Sequence, residues 1–277
     1  MKIKDINKLE KIANNIRIGI IEQVYNAQSG HPGGSLSATD ILTVLYFNQM
    51  NIDENKPSAQ ERDRFILSKG HCSPALYATL AEKGYFPKEK LSTFRKFGGE
   101  LQGHPDMNKV PGVDMTSGSL GQGLSVANGM ALASKLNEDG YRVYCLLGDG
   151  EIEEGQVWEA AMTSNKYKLD NLCVIVDNNN LQIDGKIEEV KGLTNIGDKF
   201  KSFGFEVLQI DGNNIEELLN AFNVAKQIKG RPTVIIAKTI KGKGVSFMEN
   251  KVEWHGRAPK EEEYKQAIEE LSKKYAM

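Results

Sequence analysis

Four short apolar runs in the second half of the chain predict buried β-strands. They lie at 143–147, 172–176, 205–210 and 233–238. The run at 172–176 is apolar at every position, which is typical of a strand covered on both faces of a parallel sheet. Helical patterns at 155–168 and 213–229 separate the runs, so that strand and helix alternate. This alternation predicts an α/β fold: a doubly wound, mostly parallel sheet with helices on both faces.

The first 140 residues predict helices instead, and glycine- and proline-rich loops separate them. The helices are expected at about 5–28, 38–49, 73–84 and 121–138, and the loops at 29–35, 97–105 and 111–119. A last helix is expected at 259–275. Because no repeat, low-complexity segment or linker-like shift in composition interrupts the chain, we expect residues 1–277 to form a single domain.

The composition excludes several classes of protein. The chain has 277 residues, of which 40% are hydrophobic and 26% charged, and this argues against disordered, collagen-like and membrane proteins. Lys and Arg number 35 against 37 Asp and Glu. The net charge of -2 therefore predicts no binding to nucleic acid or to an anionic membrane, which would need a basic excess.

Targeting signals and cysteine usage indicate a cellular compartment. The first ten residues are charged throughout and lack the apolar segment of a signal peptide. No run approaches the roughly 18 apolar residues that span a bilayer. The three cysteines, Cys72, Cys145 and Cys173, have no CxxC spacing, so a disulfide framework is not expected. We therefore expect a reducing compartment and a cytoplasmic protein.

An acidic, glycine-rich loop follows the predicted strand at 143–147. It reads Gly148-Asp149-Gly150-Glu-Ile-Glu-Glu154-Gly155. Ligands of α/β sheets bind at the carboxyl ends of strands, and glycines there let the backbone approach a phosphate closely. Carboxylates beside a bare diphosphate would repel it. A divalent cation resolves this conflict, because Mg²⁺ typically takes one or two carboxylates together with phosphate oxygens.

A second polar turn, Asp177-Asn-Asn-Asn180, follows the next predicted strand. If the two strands are neighbours, both turns open on one edge of the sheet, and Asp149 and Asn179 can share a metal ion. Each turn alone is more often a plain loop, but their spacing of one strand–helix–strand unit favours the metal site. The chain has neither G-x-G-x-x-G opening a helix after a strand nor G-x-x-x-x-G-K-[ST], which disfavours a Rossmann dehydrogenase and a P-loop kinase.

These segments resemble the thiamine diphosphate enzymes, and specifically the N-terminal, diphosphate-binding part of transketolase. The general cofactor signature is Gly-Asp-Gly followed by Asn, here 148–150 and Asn179. Further transketolase-like segments follow in order between residues 29 and 257. They are Ser29-Gly-His31-Pro-Gly-Gly34, Leu67-Ser-Lys69-Gly-His71, Gly103-His104-Pro105, Gly118-Ser-Leu120-Gly-Gln-Gly123, Lys238-Thr-Ile-Lys241-Gly-Lys-Gly244 and Trp254-His255-Gly256.

The resemblance implies a role for each matching residue. Asp149, Asn179 and the backbone carbonyl of Leu181 would ligate Mg²⁺, with Ca²⁺ or Mn²⁺ as substitutes, and Gly150 would contact the diphosphate through its N–H. Glu154 and Glu159 would link two cofactor sites across a dimer. The remaining cofactor contacts would be His71, Gly118, Ser119, Leu120, Glu154, Lys241 and His255.

All four histidines lie in loops rich in glycine or proline: His31, His71, His104 and His255. One such histidine is as consistent with a structural role as with a functional one, but the set favours function. Imidazoles beside sugar hydroxyls can donate, accept and shuttle protons near neutral pH. The resemblance implies catalytic roles for the four, with His31 and His104 at the substrate. Lys69 is either a further substrate contact or a solvated lysine.

In the transketolases that this chain resembles, a glutamate on a separate pyrimidine-binding domain activates the cofactor. That domain and a third, C-terminal domain follow the present region. This chain stops at Met277 without either. We therefore expect a complementary subunit to supply them, in an assembly of two copies of each. The expected reaction transfers a two-carbon ketol group from a ketose phosphate to an aldose phosphate, in pentose phosphate metabolism.

Other functions stay open at this point. The first is an alpha-type subunit of another split thiamine diphosphate enzyme, such as a 2-oxoacid dehydrogenase or a relative of deoxyxylulose-phosphate synthase. The His-Pro-Gly-Gly, Ser-Lys-Gly-His and Trp-His-Gly segments argue against the dehydrogenase. The others are a non-enzymatic, cofactor-binding remnant and a sugar-nucleotide or NAD enzyme.

Overall fold

The structure is a computed structural model that describes residues 2–183 and 185–273. Its strands are Arg64–Leu67 (β1), Val143–Gly148 (β2), Leu172–Asn178 (β3), Glu206–Asp211 (β4) and Thr233–Lys238 (β5). The α-helices are Ile6–Ala27 (α1), Pro32–Ser37 (α2), Thr39–Val44 (α3), Ser73–Lys83 (α4), Gly123–Leu136 (α5), Gly155–Lys166 (α6), Ile187–Val190 (α7), Ile196–Ser202 (α8), Ile215–Gln227 (α9) and Glu261–Lys273 (α10).

The strands form one sheet in the order β1-β2-β3-β5-β4, and every neighbouring pair is parallel. Consecutive residues of a strand point to opposite faces, and both faces are buried. Tyr144 and Leu146 pack against the layer that contains α1, α3, α4 and α9. Cys145 and Leu147 pack against the layer that contains α5, α6 and α8. The predicted α/β fold with helices on both faces is confirmed.

The sheet register aligns the carboxyl ends of four strands at one edge. Leu67 of β1 pairs with Leu146 of β2, Gly148 of β2 pairs with Asp177 of β3, and Asn178 of β3 pairs with Lys238 of β5. The two strands whose turns were predicted to share a metal ion are therefore neighbours. The loops that follow these strands necessarily meet above this edge.

Two predictions of local structure were wrong. β1 was not predicted, because Arg64–Leu67 contains only three apolar residues, too few to define a period. The predicted loop at 29–35 contains helix α2, which begins at Pro32, a residue that a helix accepts in its first turn. Glycine is needed at Gly33 and Gly34 because neighbouring segments leave no room for a side chain on this helix. A Cβ on Gly33 would lie 2.8 Å from the Trp254 carbonyl oxygen.

Smaller differences occur at the helix ends. The predicted helix at 38–49 is α3 followed by a π-helical turn at Leu45–Gln49. Helices α7 and α8 were not predicted. The last helix begins at Glu261 rather than 259, and its predicted end at Tyr275 lies outside the described residues. Among the described residues, no helix is both long enough and apolar enough to cross a membrane.

Candidate functional site

A cavity of about 420 Å³ lies above the carboxyl edge of the sheet, where the loops after β1, β2, β3 and β5 meet. The structure brings most of the predicted site residues to its wall. They are His31, Lys69, His71, His104, Gly118, Leu120, Asp149, Gly150, Glu154, Asn179, Leu181, Lys241 and His255. The cavity wall does not include Ser119, which is exposed between two lining residues, or Glu159, which is exposed on α6.

Asp149 and Asn179 form a cluster of oxygen atoms at the bottom of this cavity. Asp149 is buried, and its two carboxylate oxygens accept hydrogen bonds from the N–H groups of Gly150 (2.9 Å) and Asn180 (2.5 Å). The amide oxygen of Asn179 accepts from the Leu181 N–H at 3.2 Å. Burial, assisted by the charge of nearby Asp177, raises the pKa of Asp149 to about 7. This carboxylate therefore sits where a cation would stabilise its charged form.

The residues of this cluster fit a divalent cation. A carboxylate, an amide oxygen and the Leu181 carbonyl are the hard oxygen ligands that Mg²⁺ prefers. In the described part of the chain, no Lys, Arg or His forms an ion pair with Asp149. Among the described residues, no group of three or more His, Cys, Asp or Glu side chains is arranged to hold a metal ion. A site here would thus take one carboxylate and draw its other protein ligands from Asn179 and the backbone.

Asp177, at the end of β3, joins three loops beneath the cavity. It is fully buried and accepts hydrogen bonds from the Lys69 ammonium, from the hydroxyl of Ser37 (2.5 Å) and from that of Thr239. Lys69 also donates to the Gly34 carbonyl at 3.1 Å. Burial lowers the pKa of Lys69, but the adjacent Asp177 carboxylate outweighs this effect and raises it. The Lys69 ammonium is thus held inside the protein, which excludes the solvated lysine of the sequence analysis.

Three of the four histidines form a compact group on one wall. The ring centroids of His31, His71 and His255 lie 5.1–5.4 Å from each other. Nδ1 of His31 is buried and has no hydrogen-bond partner within the described chain. His104 is more exposed and lies beside Gly118, where a Cβ would approach its ring to 3.3 Å.

These imidazoles are held in their neutral form. Burial is the largest cause, and it lowers the pKa of His31 to about 4 and that of His255 to about 3. Positive charges add to the effect: Arg95 acts on His31, and Lys241 acts on His255. The pKa of His71 is also well below its usual value, for the same reason. At neutral pH each ring therefore offers one hydrogen-bond donor and one acceptor.

Lys241 lies between the histidines and the oxygen cluster. Its ammonium is 2.9 Å from Nδ1 of His255 and donates to the Leu181 carbonyl at 3.1 Å. Burial lowers its pKa to about 8, so that it is largely charged at pH 7. In the part of the chain that the structure describes, no carboxylate forms an ion pair with Lys241, and a buried lysine of this kind is suited to an anionic group of a ligand, such as a diphosphate.

The other carboxylates of the 148–155 loop have separate surroundings. Glu154 is exposed at the cavity mouth, and Glu153 is half-buried with one oxygen 3.3 Å from the Gln182 side-chain nitrogen. Glu151 is buried and accepts hydrogen bonds from Ser68 and from two backbone N–H groups. From the sequence the loop looks uniformly acidic, and no role could be predicted for Glu151, Asp177, Ser37 or Thr239. For Glu151, Asp177 and Thr239 the available signal was a position at or just after a strand end, whereas Ser37, at the end of α2, had none.

Comparisons with known proteins agree with this geometry. Residues 8–276 match the sequence family described as transketolase, thiamine diphosphate binding domain. The chain is 44% identical to one subunit of the apulose-4-phosphate transketolase of Phocaeicola vulgatus, across 97% of this chain and 95% of that protein. It is 47% identical to the 6-deoxy-6-sulfo-D-fructose transketolase subunit SqwG of a Clostridium species, across 97% and 98%.

A solved structure is similar over nearly the whole chain. The fold superposes on the transketolase of Campylobacter jejuni with a TM-score of 0.91 and 35% sequence identity. The match covers 97% of this chain and 43% of that one. The chain thus spans nearly all of the two subunit-type relatives and less than half of this transketolase.

Proposed function

The chain belongs to the transketolase family, and on that premise we propose that it is the thiamine diphosphate-binding subunit of a split transketolase. The observation that carries this proposal is the cavity in which the oxygen cluster of Asp149 and Asn179 faces Lys241 and the neutral histidines. One end of that cavity suits a metal diphosphate, and the other suits a polyhydroxylated substrate.

We assign the cofactor contacts as the family resemblance implies them. Asp149, Asn179 and the Leu181 carbonyl would hold Mg²⁺, and the Gly150 N–H together with Lys241 would bind the diphosphate. When bound, thiamine diphosphate supplies a nucleophilic thiazolium carbon and an electron sink for the transferred two-carbon group. We assign Gly118, Ser119 and Leu120 to the organic rings of the cofactor; Gly118 and Leu120 line the cavity, and Gly118 lies beside the His104 ring.

The protein's own contribution is hydrogen bonding and proton transfer at sugar hydroxyls. His31 lines the cavity, and its neutral ring can accept a hydroxyl proton at one nitrogen and return a proton through the other. His104, at the exposed end, would contact the part of the sugar that extends from the cavity. For Lys69, the ion pair with Asp177 favours support of the cofactor loops over direct sugar binding.

We propose that a second subunit completes the active site. Two relatives that this chain covers over 95% and 98% of their length are themselves named as transketolase subunits. The partner would carry the pyrimidine-binding and C-terminal domains, so that residues 1–277 form the diphosphate domain alone. Glu154 and Glu159 are exposed, as the predicted link between two cofactor sites requires. An assembly of two copies of each subunit follows from that link.

The sugar pair is proposed at the level of a ketose phosphate donor and an aldose phosphate acceptor. Two similar subunits are named for other ketoses, apulose-4-phosphate and 6-deoxy-6-sulfo-D-fructose. A donor panel of these two sugars with xylulose-5-phosphate and fructose-6-phosphate therefore decides the pathway. Preference for the last two would support pentose phosphate metabolism, and preference for either of the others would replace it.

The decisive experiment compares the chain alone with the chain mixed with a pyrimidine-domain protein of the same genome. With thiamine diphosphate and Mg²⁺, the mixture is expected to transfer the ketol group, and the isolated chain is expected to catalyse little. Asp149→Ala should abolish turnover in the mixture, whereas Asp139→Ala, which removes an exposed carboxylate before β2, should preserve it. Full turnover by the isolated chain would contradict the split site, and a mixture that binds no thiamine diphosphate would contradict the function.

A further inference from the structure

Three loops at the cavity come from distant parts of the chain, and one side chain joins them. We call them the β1 loop (68–71), the ring loop (117–122) and the metal loop (148–150). The ring loop precedes α5 and contains the residues assigned to the organic rings of the cofactor. The metal loop contains Asp149, assigned to Mg²⁺, and Gly150, assigned to the diphosphate. A cofactor that spans both requires a fixed distance between them.

Glu151 is the side chain at the junction of these loops. It is 3% exposed, and one of its oxygens accepts from the Gly121 N–H of the ring loop at 3.0 Å. The same oxygen accepts the hydroxyl proton of Ser68 in the β1 loop. Its other oxygen accepts from the Gly148 N–H of the metal loop at 3.0 Å. Ser68 in turn accepts from the Gly123 N–H at 3.1 Å, which ties the start of α5 to the same cluster.

The backbone around Glu151 is built for this close approach. Gly121 has a φ of +83°, which side chains rarely adopt. A Cβ on Gly123 would lie 2.3 Å from the Ser68 hydroxyl oxygen, so that only glycine allows the two segments to touch. The hydrogen bonds of Glu151 are therefore made between segments that lie too close together for a further side chain.

We propose that Glu151 is a positioning residue that holds the ring loop at a fixed distance from the metal loop, and so aligns the two halves of the cofactor site. This inference rests on the proposed thiamine diphosphate site. All three partners of Glu151 are donors, and a carboxylate is the side chain that accepts at both ends. A glutamine of the same shape accepts at one end only. In either orientation of its amide, the glutamine oxygen accepts from the N–H of Gly121 or of Gly148, and its NH₂ group faces the other N–H, so that two donors meet.

The test uses the full chain and the variant Glu151→Gln, with Glu153→Gln as the matched control. The control removes a charge from the same acidic segment but no acceptor from a backbone N–H, because the Glu153 side chain contacts the Gln182 side chain. Selective ¹⁵N labelling of glycine limits the backbone spectrum to 27 residues, so that amide exchange at Gly121 and Gly148 can be followed individually. Dissociation constants for Mg²⁺–thiamine diphosphate and Mg²⁺–diphosphate are measured by ³¹P NMR on the same samples.

We expect the Gly121 and Gly148 amides to be protected in the wild type and in Glu153→Gln, and one of them to lose protection in Glu151→Gln. Thiamine diphosphate, which spans both loops, should bind Glu151→Gln at least roughly tenfold more weakly, corresponding to about 1.4 kcal/mol. Inorganic diphosphate, which reaches the metal loop alone, should weaken by less than about threefold, or about 0.65 kcal/mol. A residue that merely supports folding would weaken both ligands by the same factor.

Retained protection of both amides in Glu151→Gln, or equal weakening of the two ligands, would overturn the inference. If Glu151→Gln does not fold, amide exchange in the wild type is the test. An unprotected Gly121 or Gly148 amide would show that Glu151 does not hold the two loops together. A wild-type chain that binds no thiamine diphosphate even when mixed with the pyrimidine-domain subunit would instead contradict the proposed function, and amide exchange would still report whether Glu151 joins the loops.

Discussion

The ion pair of Lys69 with Asp177 gives the sharpest prediction about stability. Their side chains are 2% and 0% exposed, and Asp177 also accepts the hydroxyl protons of Ser37 and Thr239. Asp177→Asn removes the negative charge and leaves the Lys69 ammonium buried without a counter-charge. Removing one partner of such a pair costs about 3–5 kcal/mol of unfolding free energy. We therefore expect a loss of about 4 kcal/mol, a large share of the roughly 5–15 kcal/mol that holds a typical domain folded.

Urea unfolding followed by tryptophan fluorescence measures this loss. The two tryptophans, Trp158 and Trp254, pack in different helical layers and so report on both sides of the sheet. The control is Glu269→Gln, which breaks the pair with Lys273, whose side chains are 63% and 74% exposed. This control should leave the unfolding midpoint unchanged, because an exposed pair is screened by water.

A double variant separates the pair from simple loss of packing. Lys69→Met combined with Asp177→Asn removes both charges, and it should cost about 2 kcal/mol less than the sum of the single variants, since neither charge is then left unpaired. Two results would refute this reasoning: a loss of unfolding free energy below about 1 kcal/mol for Asp177→Asn, or a double variant whose loss equals the sum of the two single losses. Either result would mean that the two buried charges do not stabilise each other.

Two further predictions concern the protonation of His255 and the packing of a helical glycine. His255 has a pKa of about 3 in the folded chain and about 6.5 unfolded, so the unfolded state binds the extra proton and stability falls as pH drops from 6.5 to 4. His255→Gln should make that fall shallower by at most about 1.4 kcal/mol per pH unit in urea unfolding, and an unchanged slope would contradict the prediction. The comparison with the wild type cancels the contribution of Asp149, which titrates with the opposite sign. Gly33→Ala should destabilise the chain by about 1–3 kcal/mol in the same assay, because the new Cβ would meet the Trp254 carbonyl. Gly129→Ala should instead stabilise the chain by about 0.5–1 kcal/mol, because Gly129 lies in a helix and its Cβ would point into open space. Equal effects of the two alanines would contradict this steric account.

The sequence predicted the parts of the site that lie directly at strand ends. Asp149 and Asn179 could be placed together because continuous apolar runs marked β2 and β3, and parallel neighbours bring their following turns to one edge. The four histidines could be identified as a set from their glycine- and proline-rich surroundings. The structure places all four in the wall of the cavity that contains the oxygen cluster.

What the sequence did not predict depends on contacts between distant segments. Strand β1 is too short to show a period, yet its pairing with β2 places Ser68 and Lys69 at the site. Asp177 and Glu151 appeared as members of polar turns, and only the packed structure shows that each accepts donors from other loops. Such roles follow from burial and from the direction of hydrogen bonds, which a linear pattern does not contain.

The central claim is that Asp149, Asn179 and the Leu181 carbonyl hold one divalent cation against the diphosphate. The most direct measurement is a crystal structure of the chain grown with thiamine diphosphate and Mn²⁺, with the metal located by its anomalous scattering. We predict one peak in contact with all three protein oxygens and with the diphosphate. Thiamine diphosphate bound in the cavity with no metal at these three oxygens would contradict the account.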